Sequence, residues 1–189
     1  MSSPKPAKIS SPKTLLILGG ARSGKSTYAE KKALQSKKKL IYIATSKALD
    51  KEVEQRIAKH KQDRAAANWT TIEEPISLAK TLKQWASPDN VILVDCLTMW
   101  LINLLAEEPS VLDQEMNELL NTIESLAGTI IFVSNEVGMG IIPMGELTRK
   151  YVDEAGRLHQ QLAQKVEHVI LMVAGLPHRI KPSNHPNEI

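Results

Sequence analysis

The sequence of 189 residues predicts a single α/β domain built on a mostly parallel, doubly wound sheet. Short apolar runs rich in β-branched residues recur along the chain without polar alternation, and segments with helical periodicity separate them. Strands of this kind that alternate with helices are typical of right-handed β-α-β units. Such sheets bind ligands at the carboxyl ends of their strands. We therefore expect the functional residues directly after the apolar runs.

The predicted elements follow this alternation closely. Strands are expected at 15–18, 40–44, 91–94, 130–133 and 169–173, and a short edge segment at 69–73. Helices are expected at about 25–36, 50–64, 76–86, 97–105, 112–126 and 146–166. Residues 1–13, rich in Ser, Pro and Lys, are expected to be a disordered leader, and 177–189 a loose C-terminal tail. The folded catalytic domain is then expected to span residues 14–176.

Composition excludes several classes of protein. One Phe, three Tyr and three Trp are too few for a platform that stacks single-stranded nucleic acid. The formal charge of +3 arises from Lys5, Lys8 and Lys13, because 24 basic residues less these three equal the 21 acidic ones. A neutral folded part argues against a nucleic-acid or membrane footprint. No apolar run reaches the length of a membrane span. The single cysteine, Cys96, indicates a reducing, cytoplasmic location.

A glycine-rich loop follows the first predicted strand and precedes a helix-forming stretch. Residues 19–26 read GGARSGKS, which matches the phosphate-loop pattern G-x-x-x-x-G-K-[ST]. In that pattern backbone N–H groups converge on phosphate oxygens, Lys25 reaches the β- and γ-phosphates, and the Ser26 hydroxyl binds Mg²⁺. The alternative is a turn that binds nothing, but strand, loop and helix together favour a nucleoside triphosphate. The loop residues are Gly19, Gly20, Ala21, Arg22, Ser23, Gly24, Lys25 and Ser26.

An acid closes the third apolar run. Asp95 follows the run 91–94 directly, and in a protein with a phosphate loop an acid in this position usually holds Mg²⁺. The alternative is an N-cap for the helix that begins at Leu97, which Asp also suits. We favour the metal role. Cys96, beside it, is interpreted as a small buried residue rather than a nucleophile.

A charged stripe is predicted on the helix at 50–64. Glu52, Arg56, His60 and Arg64 are four residues apart, so they share one helical face. Two guanidinium groups beside His60 disfavour the imidazolium, which would leave a neutral, nucleophilic ring near pH 7. The arginines could also hold phosphate oxygens. A solvated face supported by the Glu52–Arg56 pair is the alternative. On spacing alone the two interpretations are even.

Three other segments have patterns that indicate a function less specifically than the phosphate loop does. Glu73 ends the edge segment, and periodicity alone favours its exposure to solvent. Residues 134–143 contain two glycines and a proline after a strand, which is typical of a mobile loop over a substrate. The helix at 97–105 is apolar nearly all round, so we expect it either in the core or against another subunit, with a homo-oligomer favoured.

These segments together carry a resemblance to a known family. GGARSGKS, IATS, RIAKHKQDR, WTTIEEP, VDCLTMW, SNEVGMGIIP and DEAGRLHQ occur in this order. They closely resemble the bifunctional adenosylcobinamide kinase/adenosylcobinamide-phosphate guanylyltransferases of cobalamin biosynthesis, from about Thr14 to Gly175. The segments R-I-x-x-H-x-x-x-R and N-E-V-G-M-G are far more specific to this family than the phosphate loop is.

The resemblance implies a RecA-like P-loop fold, a trimer, and two reactions. The first transfers the γ-phosphoryl group of ATP or GTP to the aminopropanol hydroxyl of adenosylcobinamide. The second transfers GMP from GTP to the resulting phosphate through a guanylylated histidine, here His60, and releases pyrophosphate. The resemblance thus favours covalent catalysis over a solvated face for the charged stripe, and it implies that Arg56 and Arg64 stabilise the transition state. The implied nucleotide contacts are residues 19–26, Thr45, Ser46, Lys61, Gln62, Asp63, Arg64, Glu73 and Asp95.

The chain departs from the family pattern at His159, where Asn is usual. Two rival functions remain. A P-loop small-molecule kinase without nucleotidyl transfer would need Lys25 and Asp95 but would give His60 no role. A regulatory or DNA-associated ATPase is disfavoured by the neutral folded part. The guanine-reading motif N-K-x-D is absent from the sequence, so a preference for GTP rests on the resemblance.

Overall fold

The computed structural model describes residues 13–47 and 68–182. These residues form a seven-stranded sheet with helices on both faces. Its strands are β1 (Thr14–Gly19), β2 (Lys39–Ala44), β3 (Thr70–Glu73), β4 (Asn90–Asp95), β5 (Thr129–Asn135), β6 (His168–Val173) and β7 (Leu176–Lys181). The helices are α1 (Lys25–Gln35), α2 (Leu78–Trp85), α3 (Leu97–Leu105), α4 (Pro109–Thr122), which a short 3-10 turn (Ile123–Ser125) follows, and α5 (Glu146–Lys165).

The order of strands across the sheet is β3-β2-β4-β5-β1-β6-β7. Neighbouring strands are parallel except for the antiparallel pair β6 and β7. The carboxyl ends of the parallel strands therefore lie along one edge of the sheet. This carboxyl edge is formed by the last residues of β1 to β5, which are Gly19, Ala44, Glu73, Asp95 and Asn135. The predicted α/β class with a mostly parallel, doubly wound sheet is confirmed.

Strand β1 shows why the apolar runs lack polar alternation. All six of its residues are buried. Leu16 and Leu18 belong to the larger core, under α2 to α5, whereas Leu15 and Ile17 belong to the smaller core, against α1. A strand covered on both faces is apolar at nearly every position, because neither face meets water. The exception, Thr14, accepts a hydrogen bond of 2.9 Å from the Glu167 N–H.

Helix α3 lies in the core of the chain itself. Trp100 is fully buried, and its indole Nε1 donates a hydrogen bond of 2.7 Å to the carbonyl of Ile76. Ile102, 37% exposed, is the large apolar side chain of this helix that reaches the surface. Packing against the sheet, α4 and α5 thus accounts for the apolar character of α3 without a second subunit.

The structure corrects the expected boundary of the tail. Residues 176–181 form strand β7, so a loose tail from Pro177 is wrong for residues 177–181. The sequence of this strand, LPHRIK, contains no continuous apolar run, and its residues are mostly exposed. The strand is defined by its ladder with β6. Pro177 is tolerated there because β7 is an edge strand. The helix predicted at 50–64, the leader at 1–12 and residues 183–189 lie outside the described residues.

Candidate active site

The loop between β1 and α1 is held in a tight turn by hydrogen bonds within its own backbone. The Ser23 N–H donates to the carbonyl of Gly20 at 3.3 Å, and the Tyr28 N–H donates to that of Gly24 at 3.0 Å, which begins α1. Gly24 has a φ of +92°, a left-handed conformation that side chains disfavour. A Cβ on Gly19 would lie 2.6 Å from the carbonyl oxygen of Met172. The shape of this loop thus requires glycine at positions 19 and 24.

The Lys25 side chain lies inside the loop. It is 7% exposed, and its ammonium donates to the carbonyl of Gly20 at 2.5 Å and to the Ser23 hydroxyl at 3.4 Å. Burial lowers the pKa of Lys25, while neighbouring Cys96 and Asp95 act in the opposite direction. An ammonium already directed at the loop interior is well placed to exchange carbonyl partners for phosphate oxygens.

Asp95 lies at the carboxyl edge, on β4, with β5 between it and the loop strand β1. The Tyr42 hydroxyl donates to Asp95 Oδ2 at 3.0 Å, which orients the carboxylate. The Asp95 charge raises the pKa of Lys25, against the larger effect of burial. The structure therefore brings together the loop and the acid that the sequence predicted to act with it.

Thr45 is fully buried directly after β2, and its side chain serves the fold. Its hydroxyl donates to the Cys96 carbonyl at 2.6 Å and accepts the Cys96 N–H at 3.0 Å. Its carbonyl accepts a hydrogen bond of 2.7 Å from Asn103 Nδ2 on α3. Thr45 thus positions the end of β4, whereas neighbouring Ser46 is partly exposed.

Burial raises the pKa of the Cys96 thiol to about 11, with the Asp95 charge acting in the same direction. The thiol is therefore protonated at neutral pH. Since the thiolate is the nucleophilic form of cysteine, the interpretation of Cys96 as a small buried residue fits the structure.

Two consecutive acids after β3 have different roles. Glu74 holds the turn that leads into α2, because its Oε1 accepts the N–H groups of Ile76 and Ser77 at 3.0 and 2.8 Å, and its Oε2 accepts the Thr81 hydroxyl at 3.0 Å. Glu73, the last residue of β3, is exposed at the carboxyl edge, as periodicity predicted. It is paired in register with Ala44, next to Thr45 and Ser46. Glu73 thus lies exposed at this edge, whereas Glu74 is used by the fold.

The predicted catalytic stripe is not among the described residues. Arg56, His60, Lys61, Gln62, Asp63 and Arg64 all lie in residues 48–67, outside them. The chain enters that segment from Lys47, three residues after the carboxyl end of β2. The connection therefore starts at the edge of the sheet that carries the loop.

A cluster at the end of β5 was absent from the predicted site residues. Ser134 Oγ lies 2.8 Å from His159 Nε2, and Glu136 Oε2 lies 3.7 Å from His159 Nδ1. The Gly138 N–H donates to Glu136 Oε1 at 2.7 Å. The position of residues 134–136 at the end of a predicted strand was the feature of the sequence that could have indicated this cluster. The contact with His159 could not be predicted, because Ser134 and His159 are 25 residues apart and meet only through the packing of α5.

The loop after this cluster presents apolar side chains to solvent. Those exposed by two thirds or more are Met139, Ile141, Ile142, Met144 and Leu147. Arg149 holds the end of this loop, because its Nη1 donates to the carbonyls of Pro143 and Met144 at 3.1 and 2.5 Å. Exposed apolar side chains in such number mark an interaction surface.

None of the helices in residues 13–47 and 68–182 combines the length and apolarity that crossing a bilayer requires.

The fold and the glycine-rich loop are those of a P-loop nucleotide-binding protein. Two solved structures share this fold. The flagellar accessory protein FlaH of Methanocaldococcus jannaschii is 15% identical with a TM-score of 0.53, covering 90% of this chain and 79% of its own. The PH0250 protein of Pyrococcus horikoshii OT3 is 11% identical with a TM-score of 0.54, covering 90% of this chain and 88% of its own. At such identities the likeness concerns the fold alone.

The family is shown by sequence. The family model described as cobinamide kinase / cobinamide phosphate guanyltransferase matches residues 15–180. The bifunctional adenosylcobalamin biosynthesis protein CobP of Pseudomonas aeruginosa is 53% identical over 167 residues, which are 88% of this chain and 96% of CobP. CobU of Escherichia coli, of the same description, is 38% identical over 181 residues, 88% of this chain and 99% of CobU. The chain belongs to this family, and the predicted enzyme class, a kinase and nucleotidyltransferase, is confirmed.

Proposed function

We propose that this chain catalyses both reactions of its family on one corrinoid. It phosphorylates adenosylcobinamide with ATP or GTP, then transfers GMP from GTP to adenosylcobinamide phosphate, which gives adenosylcobinamide-GDP and pyrophosphate. The observation that carries the proposal is the buried Lys25 inside the phosphate loop, with Asp95 at the same carboxyl edge of the sheet. That arrangement occurs in a chain that matches the family over residues 15–180.

In the phosphoryl step the N–H groups of residues 19–26 hold the triphosphate, and Arg22 and Lys25 neutralise its charge. Lys25 exchanges its contact with the Gly20 carbonyl for phosphate oxygens. Ser26 and Asp95 fit Mg²⁺, because both offer hard oxygen ligands and Mg²⁺ needs only one or two of them beside phosphates and water. Bound there, Mg²⁺ would offset negative charge on the phosphates.

In the guanylyl step the His60 imidazole attacks the α-phosphorus of GTP. A P–N bond forms, the bond to the leaving pyrophosphate breaks, and Arg56 and Arg64 stabilise the charge that develops. A phosphate oxygen of the corrinoid then displaces the imidazole and takes the GMP. Support for this step comes from the spacing of the stripe and from the start of residues 48–67 at the carboxyl edge.

Further nucleotide contacts are assigned by family likeness. Ser46 and Glu73, both near the end of β2, are proposed to contact the nucleoside, together with residues 61–64. Thr45 is proposed to support this contact by holding the backbone next to Ser46, since its hydroxyl is engaged by Cys96 and its carbonyl by Asn103.

A cytoplasmic homotrimer is the proposed form of the enzyme. The exposed apolar side chains between residues 139 and 147 support association, and the single cysteine fits a reducing compartment. Sedimentation analysis of the purified chain tests the trimer directly. A monomer at micromolar concentration would contradict it.

Incubation with α-labelled GTP in the absence of corrinoid tests the covalent step. We expect an acid-labile label on the wild-type chain and none on His60→Ala, while His178→Ala, at an exposed position on β7, serves as the matched control. Phosphorylation of adenosylcobinamide by His60→Ala is expected to persist, because that reaction needs no nucleophilic imidazole. An unlabelled wild-type chain that still phosphorylates adenosylcobinamide would indicate a P-loop kinase without nucleotidyl transfer.

A further inference from the structure

The cluster at the end of β5 adjoins the phosphate loop through the backbone. Ser134 and Asn135 are in register with Leu18 and Gly19 of β1. The N–H of Glu136 donates to the Gly19 carbonyl at 3.0 Å, so its main chain is bonded to the first residue of the loop. The Glu136 carboxylate therefore projects from the strand next to the one that presents the triphosphate.

Both oxygens of this carboxylate have an identified partner. The Gly138 N–H binds Oε1 at 2.7 Å, and His159 Nδ1 lies 3.7 Å from Oε2. The Glu136 side chain is 20% exposed, so it still reaches solvent. A carboxylate has about four acceptor sites, and the unused ones remain open to a substrate hydroxyl.

His159 is buried, and burial lowers its pKa, although the Glu136 charge opposes that change. A neutral imidazole has one donor and one acceptor nitrogen. We assign the acceptor to Nε2, which the Ser134 hydroxyl can serve as donor, leaving Nδ1–H to face Glu136. Ser134 is 2% exposed, which excludes it as a nucleophile towards a bulky substrate.

We propose that Glu136 accepts the proton of the substrate hydroxyl during phosphoryl transfer, and that His159 is a positioning residue that holds its carboxylate. This inference rests on the proposed kinase reaction. As the hydroxyl oxygen bonds to the γ-phosphorus, the bond between that phosphorus and the β,γ-bridging oxygen breaks. The O–H proton passes to Glu136, and the nucleoside diphosphate leaves with the bond electrons. Asp95 is not given this role, because it is the proposed Mg²⁺ ligand at the end of β4.

Glu136→Gln tests the proton acceptor, because an amide keeps the shape of the side chain but cannot accept the proton. We expect the kcat for adenosylcobinamide phosphorylation to fall by roughly 10²- to 10⁴-fold. The KM for ATP and the self-labelling with α-labelled GTP should be unchanged, because neither requires that proton transfer. Glu124→Gln, at an exposed position, is the control and should behave as wild type.

Two variants of His159 separate positioning from packing. Asn places an amide near the position of Nδ1 and can keep the contact with Glu136, whereas Gln reaches the position of Nε2 and can keep only the contact with Ser134. We expect His159→Asn to retain most of kcat and His159→Gln to lose it, with KM for ATP unchanged in both and no correlation with Tm. A purely structural role would make kcat follow Tm.

The outcomes are distinct. A wild-type chain that does not phosphorylate adenosylcobinamide would overturn the proposed function. If the wild-type chain phosphorylates adenosylcobinamide and Glu136→Gln has the same kcat, this inference alone is overturned. It is also overturned if Glu136→Gln loses self-labelling to the same extent as it loses kcat. Equal loss of kcat in His159→Asn and His159→Gln would remove the positioning role of Nδ1.

Discussion

Thr45 and Cys96 exchange two hydrogen bonds at the carboxyl edge of the sheet. The Thr45 hydroxyl donates to the Cys96 carbonyl at 2.6 Å and accepts the Cys96 N–H at 3.0 Å. Since Cys96 directly follows Asp95, this pair holds the backbone that presents the proposed magnesium ligand. One buried hydroxyl thereby connects the end of β2 to the end of β4.

Replacing Thr45 by Val should destabilise the chain. The two side chains have similar shapes, but Val leaves the Cys96 peptide groups without the hydroxyl, which costs about 1–3 kcal/mol of unfolding free energy. Urea denaturation followed by circular dichroism measures this. Thr45→Ser retains the hydroxyl and should lie close to wild type, so a Ser variant as unstable as the Val variant would contradict the argument.

Gly24 and Gly20 should differ sharply when each is replaced by Ala. Gly24 has a φ of +92°, so a side chain there should cost about 1–2 kcal/mol in stability and distort the loop. A Cβ on Gly20 meets nothing within 4 Å, and the expected change is within about 0.5 kcal/mol. Thermal unfolding and GTP titration of both variants provide the measurement. Equal effects would show that the left-handed turn is unimportant.

Lys25→Ala should weaken nucleotide binding. Loss of charge-assisted hydrogen bonds to phosphate is worth about 1.5–3 kcal/mol, or about 10- to 100-fold in Kd. Isothermal titration with GTP is the measurement, and Lys80→Ala, at an exposed position on α2, is the control. Unaltered affinity in Lys25→Ala would place the triphosphate elsewhere.

Glu115 should make stability depend on pH. Burial raises the pKa of this carboxyl above 4.5, and the Glu118 and Glu74 charges add to the effect. The folded state therefore binds the proton more tightly than the unfolded state, so the stabilisation is complete below pH 4.5 and is lost as the pH rises through the folded pKa. Its Oε2 has no hydrogen-bond partner in the part of the chain that the structure describes.

Glu115→Gln removes this dependence, because an amide has no charge to bury. We expect the variant to be more stable than wild type by about 1 kcal/mol at pH 7 and to gain little at pH 4. Urea unfolding at the two pH values tests this, with exposed Glu124→Gln as the control. A gain of the same size at both pH values would show that ionisation of Glu115 is not the cause.

The sequence predicted those features of the site that depend on residues adjacent in the chain. The strand, loop and helix around Lys25 were predictable because backbone conformation and glycine placement are local properties. Asp95 was predictable because a strand end must lie at the carboxyl edge. The role of Glu74 in holding the turn before α2 could not be predicted from the sequence, since it depends on where α2 begins.

Contacts between residues far apart in the chain could not be predicted from the sequence. His159 meets Ser134 and Glu136 only because α5 returns across the end of β5, a contact between residues more than 20 positions apart. Strand β7 likewise has little apolar signal of its own and is defined by its ladder with β6. Periodicity reports which face of an element is apolar, but not which other element will cover it.

By itself, the sequence determined the α/β class, the phosphate loop with Lys25, and the family to which the chain belongs, because each of these is written in short stretches of adjacent residues. The tertiary structure alone decided that Lys25 is buried beside Asp95, that α3 is a core helix, and that Glu136 and His159 meet next to the loop. The physical reason is that burial and hydrogen bonding between remote segments arise only when the sheet and its helices pack together.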